Sequence, residues 1–312
     1  MKPKIDILMA TYNGEKYLKE QIESIIAQTL TNWKLYIQDD CSSDGTAQIA
    51  KNYANAYPDK IIFIQNLVPS GSAKANFFNM LKLSESNYIM FCDQDDVWLN
   101  TKIEVTYEKM IESEKLNGTA TPILVHTDLV IVNQDKYVLH KSFIKFQGLN
   151  PNSISLNKLL VQNNVTGCTM IFNRALLKLI IYKNIEEILM HDWWIALIAA
   201  AFGRIIFYPG KTILYRQHAH NQLGAINNRN IRSIIKIIIK KSNTKKRIST
   251  TYSQTLVFLR LYIGYLDESL LKIILCYLTI PKYNKILRIK ILLFNHYTKQ
   301  NIIATIGQLI FC

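Results

Sequence analysis

The sequence predicts an α/β protein in which a mainly parallel central sheet is flanked by helices and followed by a helical C-terminal region. Up to residue 92, short apolar segments typical of buried strands alternate with amphipathic segments of about a dozen residues typical of helices. From residue 226 the chain becomes rich in Ile, Lys and Arg and keeps a helical pattern. We therefore divide it into an α/β domain over residues 1–225 and a basic, helical region over residues 226–312.

The elements of the first part follow from apolar periodicity and from turn-forming residues. Residues 4–10 are an apolar run bounded by polar residues, which predicts a buried strand, and residues 15–28 place apolar side chains at helical spacing. The predicted order is strand 4–10, helix 15–28, strand 33–38, helix 45–57, strand 61–65, helix 73–83 and strand 87–92. Ligands of such sheets bind beyond the carboxyl ends of the strands, and polar clusters follow three of these strands.

The later elements are less regular. A long helix is expected after Trp98, running to about residue 116, and a shorter one over residues 193–202. Strands are expected at 123–132, 167–172, 205–208 and 213–216.

Charge is distributed unevenly along the chain. The net charge is +14, and residues 226–312 contain 15 Lys and Arg against 2 Asp and Glu, whereas residues 1–225 contain 22 against 21. A basic region of this kind favours an anionic partner, either a nucleic acid or an anionic membrane surface. The region has neither aromatic interleaving nor a known nucleic-acid module, so we expect no nucleic acid as a partner.

Cysteine usage and hydropathy predict the compartment. The five cysteines are odd in number and widely spaced, with no CxxC pair, which argues against a disulfide framework and a structural zinc site and fits a reducing compartment. The N-terminus has no charged-then-apolar leader. The longest uncharged stretch, residues 159–173, contains four Asn or Gln, so we expect a protein that is cytoplasmic and not transmembrane.

Three carboxylates, Asp93, Asp95 and Asp96, stand within four residues directly after an apolar strand. Carboxylates this close repel one another unless a cation lies among them. Clustered oxygen ligands suit Mg²⁺ or Mn²⁺, with substrate phosphates completing the coordination shell. The alternative is a solvated acidic turn, and the position at a strand end favours the divalent cation.

Two further clusters follow the first and second strands. Asp39 and Asp40 end the second strand, where a carboxylate can accept the ring N–H of a pyrimidine, and Tyr12 follows the first strand, where its ring can stack on a base. The alternative for Ser43 and Asp44 is a helix N-cap with turn residues, and for Tyr12 an ordinary turn.

The segments ATYNG, DDCSSDGT and DQDDVW together resemble the family 2 glycosyltransferases, which have the GT-A fold. The resemblance covers residues 4–220 and implies an inverting transferase that takes a sugar from a nucleoside diphosphate. It implies that Asp95 and Asp96 hold the ribose and the metal-bound diphosphate, with Asp93 in support. It also implies a nucleoside site lined by Thr11, Tyr12, Glu15, Asp39 and Asp40.

Within that family, the DQDDVW form resembles bacterial rhamnosyltransferase-like enzymes of surface polysaccharide synthesis, and the segment from Ser70 to Phe77 fits the same group. The resemblance implies rhamnose as the sugar, a dTDP- or UDP-sugar as the donor and a lipid-linked glycan as the acceptor. Lys74 is then expected to meet the donor, with a solvated lysine as the alternative. We expect Trp98, Lys74 and Trp193 to shape the donor pocket.

Inverting transfer needs a base that deprotonates the acceptor hydroxyl. The family places an acidic residue at the start of a helix, and Asp192 matches it, although His191 stands where a Glu usually precedes the Asp. Trp193 and Trp194 are candidates for stacking on a sugar. The alternative is an Asp helix cap followed by core tryptophans.

The segment from Tyr215 to Gly224 resembles the YRxHxxN segments that close the catalytic domain in the rhamnosyltransferase-like group. This implies that Arg216 contacts the diphosphate and that His218 binds the metal, where positive charge would help the nucleotide to leave. The alternative is a loop of surface histidines.

Residues 231–241 are strongly apolar and cationic, which is typical of a helix lying in a membrane interface. We expect the protein to lie peripherally on the inner face of the plasma membrane, and a homodimer is one assembly compatible with this arrangement. The alternative for the basic region is a helical bundle packed on the α/β domain. The rival functions are a nucleotidyltransferase, which would show a Gly-rich phosphate loop after the first strand, and a non-catalytic membrane scaffold.

Overall fold

The computed structural model describes residues 5–218 and 241–312, which form two compact units that interleave along the chain. The first unit contains residues 1–143, 166–180 and 203–224, and the second contains residues 144–165, 181–202 and 225–312. Two segments that the sequence assigns to the α/β domain therefore group with the helical unit. The predicted boundary near residue 225 and the predicted interfacial helix at 231–241 lie almost entirely outside the described residues.

The first unit is built on a nine-stranded sheet in the order β3-β2-β1-β4-β8-β6-β9-β5, with β7 paired to β6. The strands are β1 Ile5–Thr11, β2 Trp33–Asp39, β3 Ile61–Gln65, β4 Tyr88–Cys92, β5 Val97–Trp98, β6 Ile123–Val132, β7 Val138–His140, β8 Ile171–Asn173 and β9 Arg204–Arg216.

The half of the sheet that carries the polar clusters is parallel, as the sequence predicts. Strand β1 pairs in parallel with β2 and β4, and β2 pairs in parallel with β3. In this register Thr11 lies opposite Asp39, and Met9 lies opposite Cys92. The carboxyl ends of β1, β2 and β4 therefore meet at one edge of the sheet.

The other half is mixed. Strand β8 lies antiparallel between β4 and β6, whereas β9 is parallel to β6 and antiparallel to β5. Residues 167–172 were predicted as one strand, but Gly167–Thr169 form a 3₁₀ turn before the short β8. The two strands predicted at 205–208 and 213–216 are one continuous strand, β9, whose pairing with β6 is irregular near Asp128.

Helices cover the sheet of the first unit. They are α1 Glu15–Ile26, α2 Thr46–Ala56, α3 Ala73–Leu81, α4 Lys102–Asn117 and α7 Arg174–Leu177. Helix α5 Phe143–Gln147 starts at the last residue of the first segment and otherwise belongs to the second unit. Helix α1 buries one face, at Leu18, Ile22 and Ile25, in accord with the apolar spacing in the sequence. This fixes the N-terminus of α1 beside the end of β1.

The second unit is helical. Its longer helices are α8 His191–Phe202, α9 Lys241–Tyr262, α10 Glu268–Thr279, α11 Lys285–Phe294 and α12 Ile302–Phe311, and α6 Leu156–Leu159 is a single turn. Trp194 is fully buried with Phe258 and Tyr262 at ring centroid distances of 5.4 and 6.1 Å, so this unit has its own core. Within the described part of the chain, every helix is too short or too polar to cross a membrane.

Candidate functional site

The first polar cluster joins the ends of β1 and β2. The Thr11 hydroxyl donates to Asp39 Oδ1 at 3.0 Å, and the Ser42 backbone N–H and the Gln65 amide donate to Asp39 Oδ2 at 2.9 and 3.0 Å. Asp39 is fully buried, so its carboxylate fixes the two strand ends and the loop after β2 in one position.

Asp40 organises the loop that leads into α3. Its Oδ1 accepts hydrogen bonds from the Asn66 amide at 2.7 Å and from the Ser70 backbone N–H at 2.6 Å, while the Ser70 hydroxyl donates to Oδ2 at 2.8 Å. The segment containing Lys74 is thereby tied to the end of β2. Lys74 is half-buried in the first turn of α3, which the Ser72 hydroxyl caps.

The N-termini of α1 and α2 brace each other at the same edge. The Glu15 carboxylate accepts the Gly45 backbone N–H at 2.8 Å, and Asp44 in return accepts the Glu15 backbone N–H at 3.2 Å. Each acidic side chain satisfies an N–H at the start of the other helix, where the helix dipole favours negative charge. Glu15, a predicted nucleoside ligand, is thus engaged as a helix cap in this structure.

Gln94 connects the acidic loop to the end of β1, a role that the sequence analysis missed. Its amide accepts the Tyr12 backbone N–H and donates to the Tyr12 carbonyl, both at 2.9 Å. A Cβ at Gly14 would lie 2.3 Å from Gln94 Oε1, so a larger residue there would displace the Gln94 amide from Tyr12. The Tyr12 ring remains 58% exposed, as stacking on a base requires. The only sequence signal for Gln94 is its position inside the acidic motif.

The acidic cluster contains a buried carboxylate with an unused oxygen. Asp96 is fully buried, and its Oδ1 accepts the Arg216 backbone N–H at 3.2 Å, whereas its Oδ2 accepts no hydrogen bond from any described residue. Burial, reinforced by the charges of Asp95 and Asp93, raises the pKa of Asp96 well above its usual range. A bound cation would strongly stabilise the charged form of a carboxylate in this environment.

A third group completes this cluster. Ligand atoms of Asp93, Asp96 and Cys168 lie within 4.8 Å of one another. The Cys168 thiol, on the turn before β8, lowers the pKa of Asp96 through a side-chain hydrogen-bond interaction with its carboxyl group, although its contact with Oδ2 is not a well-formed hydrogen bond. The sequence predicts Asp95, Asp96 and His218 as metal ligands, and Cys168 was not foreseen.

His218 instead pairs with the third carboxylate. Its Nε2 lies 2.7 Å from Asp95 Oδ2, and its ring stacks on Tyr17 at a centroid distance of 4.9 Å. The structure thus brings His218 to the acidic cluster, and its role as a metal ligand stays a prediction. Its direct partner is the Asp95 carboxylate.

Arg216 holds the acidic loop from the end of β9. Its Nε donates to the Asp95 carbonyl at 3.0 Å, its Nη1 donates to the Gln134 carbonyl at 2.5 Å, and its Nη2 forms an ion pair with Glu20. The guanidinium lies 4.7 Å from the Tyr17 ring centroid, and the residue is only 3% exposed. Arg216 therefore acts as a buried clamp, and contact with a diphosphate stays a prediction.

A buried lysine lies beneath the cluster. Lys102 is fully buried, its Nζ lies 4.5 Å from the Trp98 ring centroid, and no described residue accepts a hydrogen bond from it. Burial lowers the pKa of Lys102 to about 8. Trp98 is 2% exposed, so its indole forms part of the floor of this region and presents no open surface.

The predicted base lies in the second unit. Asp192 occupies the first turn of α8 and is half-buried, and its Oδ1 accepts the Trp193 backbone N–H at 2.6 Å. The Trp193 indole donates to the Leu159 carbonyl at 2.6 Å, while Trp194 belongs to the core. The assignment of Asp192 as the base and of Trp193 as a sugar contact stays a prediction.

Known proteins provide an independent comparison. The sequence profile of the family described as "Glycosyl transferase family 2" matches residues 6–180. The dTDP-rhamnosyl transferase RfbG of Shigella flexneri is 30% identical over 228 residues, which is 70% of this chain and 74% of the relative. The glucosyltransferase WfgD of Escherichia coli, whose name specifies a UDP-Glc donor and a diphosphoundecaprenol-linked acceptor, is 26% identical over 55% of this chain and 61% of the relative.

Solved structures show the same fold. Residues 1–349 of S. aureus TarS, crystallised in complex with UDP, superpose with a TM-score of 0.55 at 17% identity, covering 99% of this chain and 88% of that chain. A mannosyltransferase from Pyrobaculum calidifontis in complex with GDP-Man and Mn²⁺ gives a TM-score of 0.51 at 14% identity, covering 100% of this chain and 88% of that chain. The chain belongs to glycosyl transferase family 2 and is a glycosyltransferase of the GT-A fold that uses a nucleotide sugar.

Proposed function

We propose that this enzyme transfers a sugar, with rhamnose as the leading candidate, from a dTDP- or UDP-sugar to a lipid-linked polysaccharide with inversion at the anomeric carbon. One observation carries the donor half of this proposal. The ends of β1, β2 and β4 bring an exposed aromatic ring, two buried aspartates and an acidic cluster to one edge of a parallel sheet. A base, a ribose and a diphosphate need such groups in that order.

A divalent cation fits the acidic cluster. The buried Asp96 Oδ2 lacks a partner among the described residues, and Asp93 offers a second oxygen in the same cluster. These carboxylates would hold Mg²⁺ or Mn²⁺, and the bound ion would neutralise the charge of the departing nucleoside diphosphate.

The other residues near the cluster position the donor. Tyr12 offers its exposed ring to the base. Asp40, which anchors the segment at Ser70, is hydrogen-bonded through its backbone N–H to Thr11, the residue before Tyr12. Arg216 and the Asp95–His218 pair hold the acidic loop in place. We assign the removal of the acceptor proton to Asp192, which lies half-buried at the start of a helix with Oδ1 engaged by the adjacent backbone N–H.

The choice of rhamnose and of a lipid-linked acceptor rests on relatives. The first relative above is named a dTDP-rhamnosyl transferase, and the name of the second includes a diphosphoundecaprenol acceptor. The surface of the second unit supports an acceptor at a membrane. Its described part exposes the apolar residues Ile286, Phe294 and Ile302 at 71%, 88% and 79%, beside cationic residues of α11 such as Lys285. Apolar and cationic groups together favour an anionic membrane interface on the cytoplasmic side.

The test is a donor screen scored by release of the nucleoside diphosphate, with a lipid-linked acceptor extract present or absent. We expect acceptor-dependent release with dTDP-rhamnose or a UDP-sugar. Asp192→Asn should abolish turnover and leave donor binding intact, since the amide cannot take the proton. Full activity of Asp192→Asn would show that another group is the base, and release from no sugar nucleotide would contradict the proposal.

A further inference from the structure

The loop between β3 and α3 carries an exposed apolar tip, residues 67–69, at the edge of the sheet where the donor is expected. Leu67 is 97% exposed and Val68 is 74% exposed, and the exposed Pro69 follows them. Single apolar side chains at a surface are common, whereas adjacent large ones are more typical of binding sites. Leu67 is also the most exposed large apolar residue in the described part of the chain.

Both ends of this apolar tip are held by the same carboxylate. The Asn66 amide donates to Asp40 Oδ1 at 2.7 Å, and the Ser70 backbone N–H and hydroxyl donate to Asp40 Oδ1 and Oδ2 at 2.6 and 2.8 Å. The Asn66 backbone N–H also donates to the Asp39 carbonyl at 3.0 Å. Pro69 restricts the backbone inside the tip. The apolar side chains are therefore kept at a defined position beside the end of β2.

The strand register places the apolar tip across from Tyr12. Thr11, Asp39 and Gln65 lie in one row across β1, β2 and β3, and the tip begins two residues beyond the end of β3. Neighbouring strands are about 4.8 Å apart, which puts β1 and β3 about 10 Å apart with β2 between them. A flat ring in contact on both faces needs about 7–8 Å between the groups on either side. The exposed Tyr12 ring and the tip are thus spaced to hold one base between them.

We propose that Leu67 and Val68 cover the pyrimidine of the bound donor and favour thymine over uracil. The side chains of the apolar tip offer no hydrogen bond to the polar edge of a base, so they distinguish bases by apolar area alone. Thymine differs from uracil in its 5-methyl group, and burying that group against apolar side chains is favourable. This inference rests on the proposed function, since it names the nucleotide that the same donor site prefers.

The direct test is calorimetric titration of dTDP and dUDP into the full-length protein in saturating Mn²⁺. These two nucleotides differ only in the 5-methyl group, so their comparison excludes any effect of the 2′-hydroxyl. Burial of the methyl group should make dTDP bind about fourfold more tightly, which is about 0.8 kcal/mol. Leu67→Ser combined with Val68→Ser should make the two affinities equal while dUDP still binds. Leu116→Ser, at a position 79% exposed near the end of α4, is the control and should keep the preference for dTDP.

Equal affinities of dTDP and dUDP for the native protein, or an unchanged preference in the double variant, would overturn the inference. The proposed function would stand in that case, because both nucleotides would still bind. If neither nucleotide binds, the proposed function fails and the inference fails with it. Flotation of the double variant with anionic vesicles tests a different occupant of the tip. Lower recovery together with an unchanged preference for dTDP would assign the tip to a lipid surface and contradict its contact with the base.

Discussion

Replacing Lys102 by Met tests how much stability the buried ammonium group costs the protein. Lys102 is fully buried, and its Nζ contacts the Trp98 ring at 4.5 Å but donates no hydrogen bond to a described residue. Met keeps an unbranched apolar chain of similar length and removes the charge. We therefore expect the variant to retain the packing of the Lys102 stem and to lose the cost of burying an ammonium group.

The pKa gives the size of this cost. Burial lowers the pKa of Lys102 from 10.5 to about 8, which at 1.36 kcal/mol per pKa unit corresponds to about 3 kcal/mol. Below pH 8 both the folded and the unfolded chain carry the proton, so the folded state bears the full cost. Between pH 8 and 10.5 the unfolded chain binds more protons than the folded one, so the stability of the native protein rises through this window.

The assay is urea unfolding of the native protein and Lys102→Met at several pH values. At pH 7 the free energy of unfolding should be about 3 kcal/mol higher for the variant, and the difference should shrink towards pH 10.5. Lys115→Met, at an exposed position of the same helix α4, is the control and should change stability by less than about 0.5 kcal/mol. A Lys102→Met variant that is less stable than the native protein at pH 7 would contradict this expectation, because it would show that the buried ammonium is well compensated.

Three further predictions concern other parts of the chain. Burial lowers the pKa of His126 from 6.5 to about 3, so between these values the unfolded chain binds a proton that the folded chain does not. The native protein should therefore lose about 2 kcal/mol of stability between neutral pH and pH 5, and His126→Phe should lose much less. Equal loss of stability in the two proteins, measured by unfolding at both pH values, would contradict this. Glu20→Gln leaves the Arg216 guanidinium buried without its ion pair and should lower the free energy of unfolding by about 2 kcal/mol. The loss should be smaller than on breaking a fully buried ion pair, because Glu20 is 36% exposed. Lys136→Met, which removes the exposed partner of the same glutamate, should cost under about 1 kcal/mol, and equal effects of the two variants would refute the clamp. Flotation with vesicles should recover the protein with anionic but not neutral lipids, and Phe294→Ser with Ile286→Ser should reduce recovery, whereas binding unaffected by lipid charge would contradict membrane association.

Local sequence patterns were sufficient to predict many of the strands and helices of the first unit. The alternation of strands and helices up to β4 gives elements whose observed ends differ by at most two residues from those predicted, because apolar periodicity and turn residues decide them locally. The polar clusters at the ends of β1, β2 and β4 could be located in the same way, because parallel strands end at one edge of the sheet.

The remainder depends on contacts between distant parts of the chain. The antiparallel insertion of β8, a three-residue strand, follows from pairing with β4 and β6 and leaves little periodic signal. It also delivers Cys168 to Asp96, which no local pattern indicates. Arg216 lies beside the acidic cluster, but its partner Glu20 lies on helix α1, so the buried clamp was not foreseeable.

Calorimetric titration of UDP and dTDP into the protein, with and without Mn²⁺, shows whether the acidic cluster holds the donor diphosphate through a divalent cation. We predict binding that strengthens markedly when Mn²⁺ is present, and a loss of that Mn²⁺ dependence in Asp96→Asn, because the substitution removes the buried negative charge that would hold the ion. Nucleotide binding that is equally strong without Mn²⁺, or unchanged in Asp96→Asn, would contradict the assignment of the acidic cluster as the site that holds the donor diphosphate.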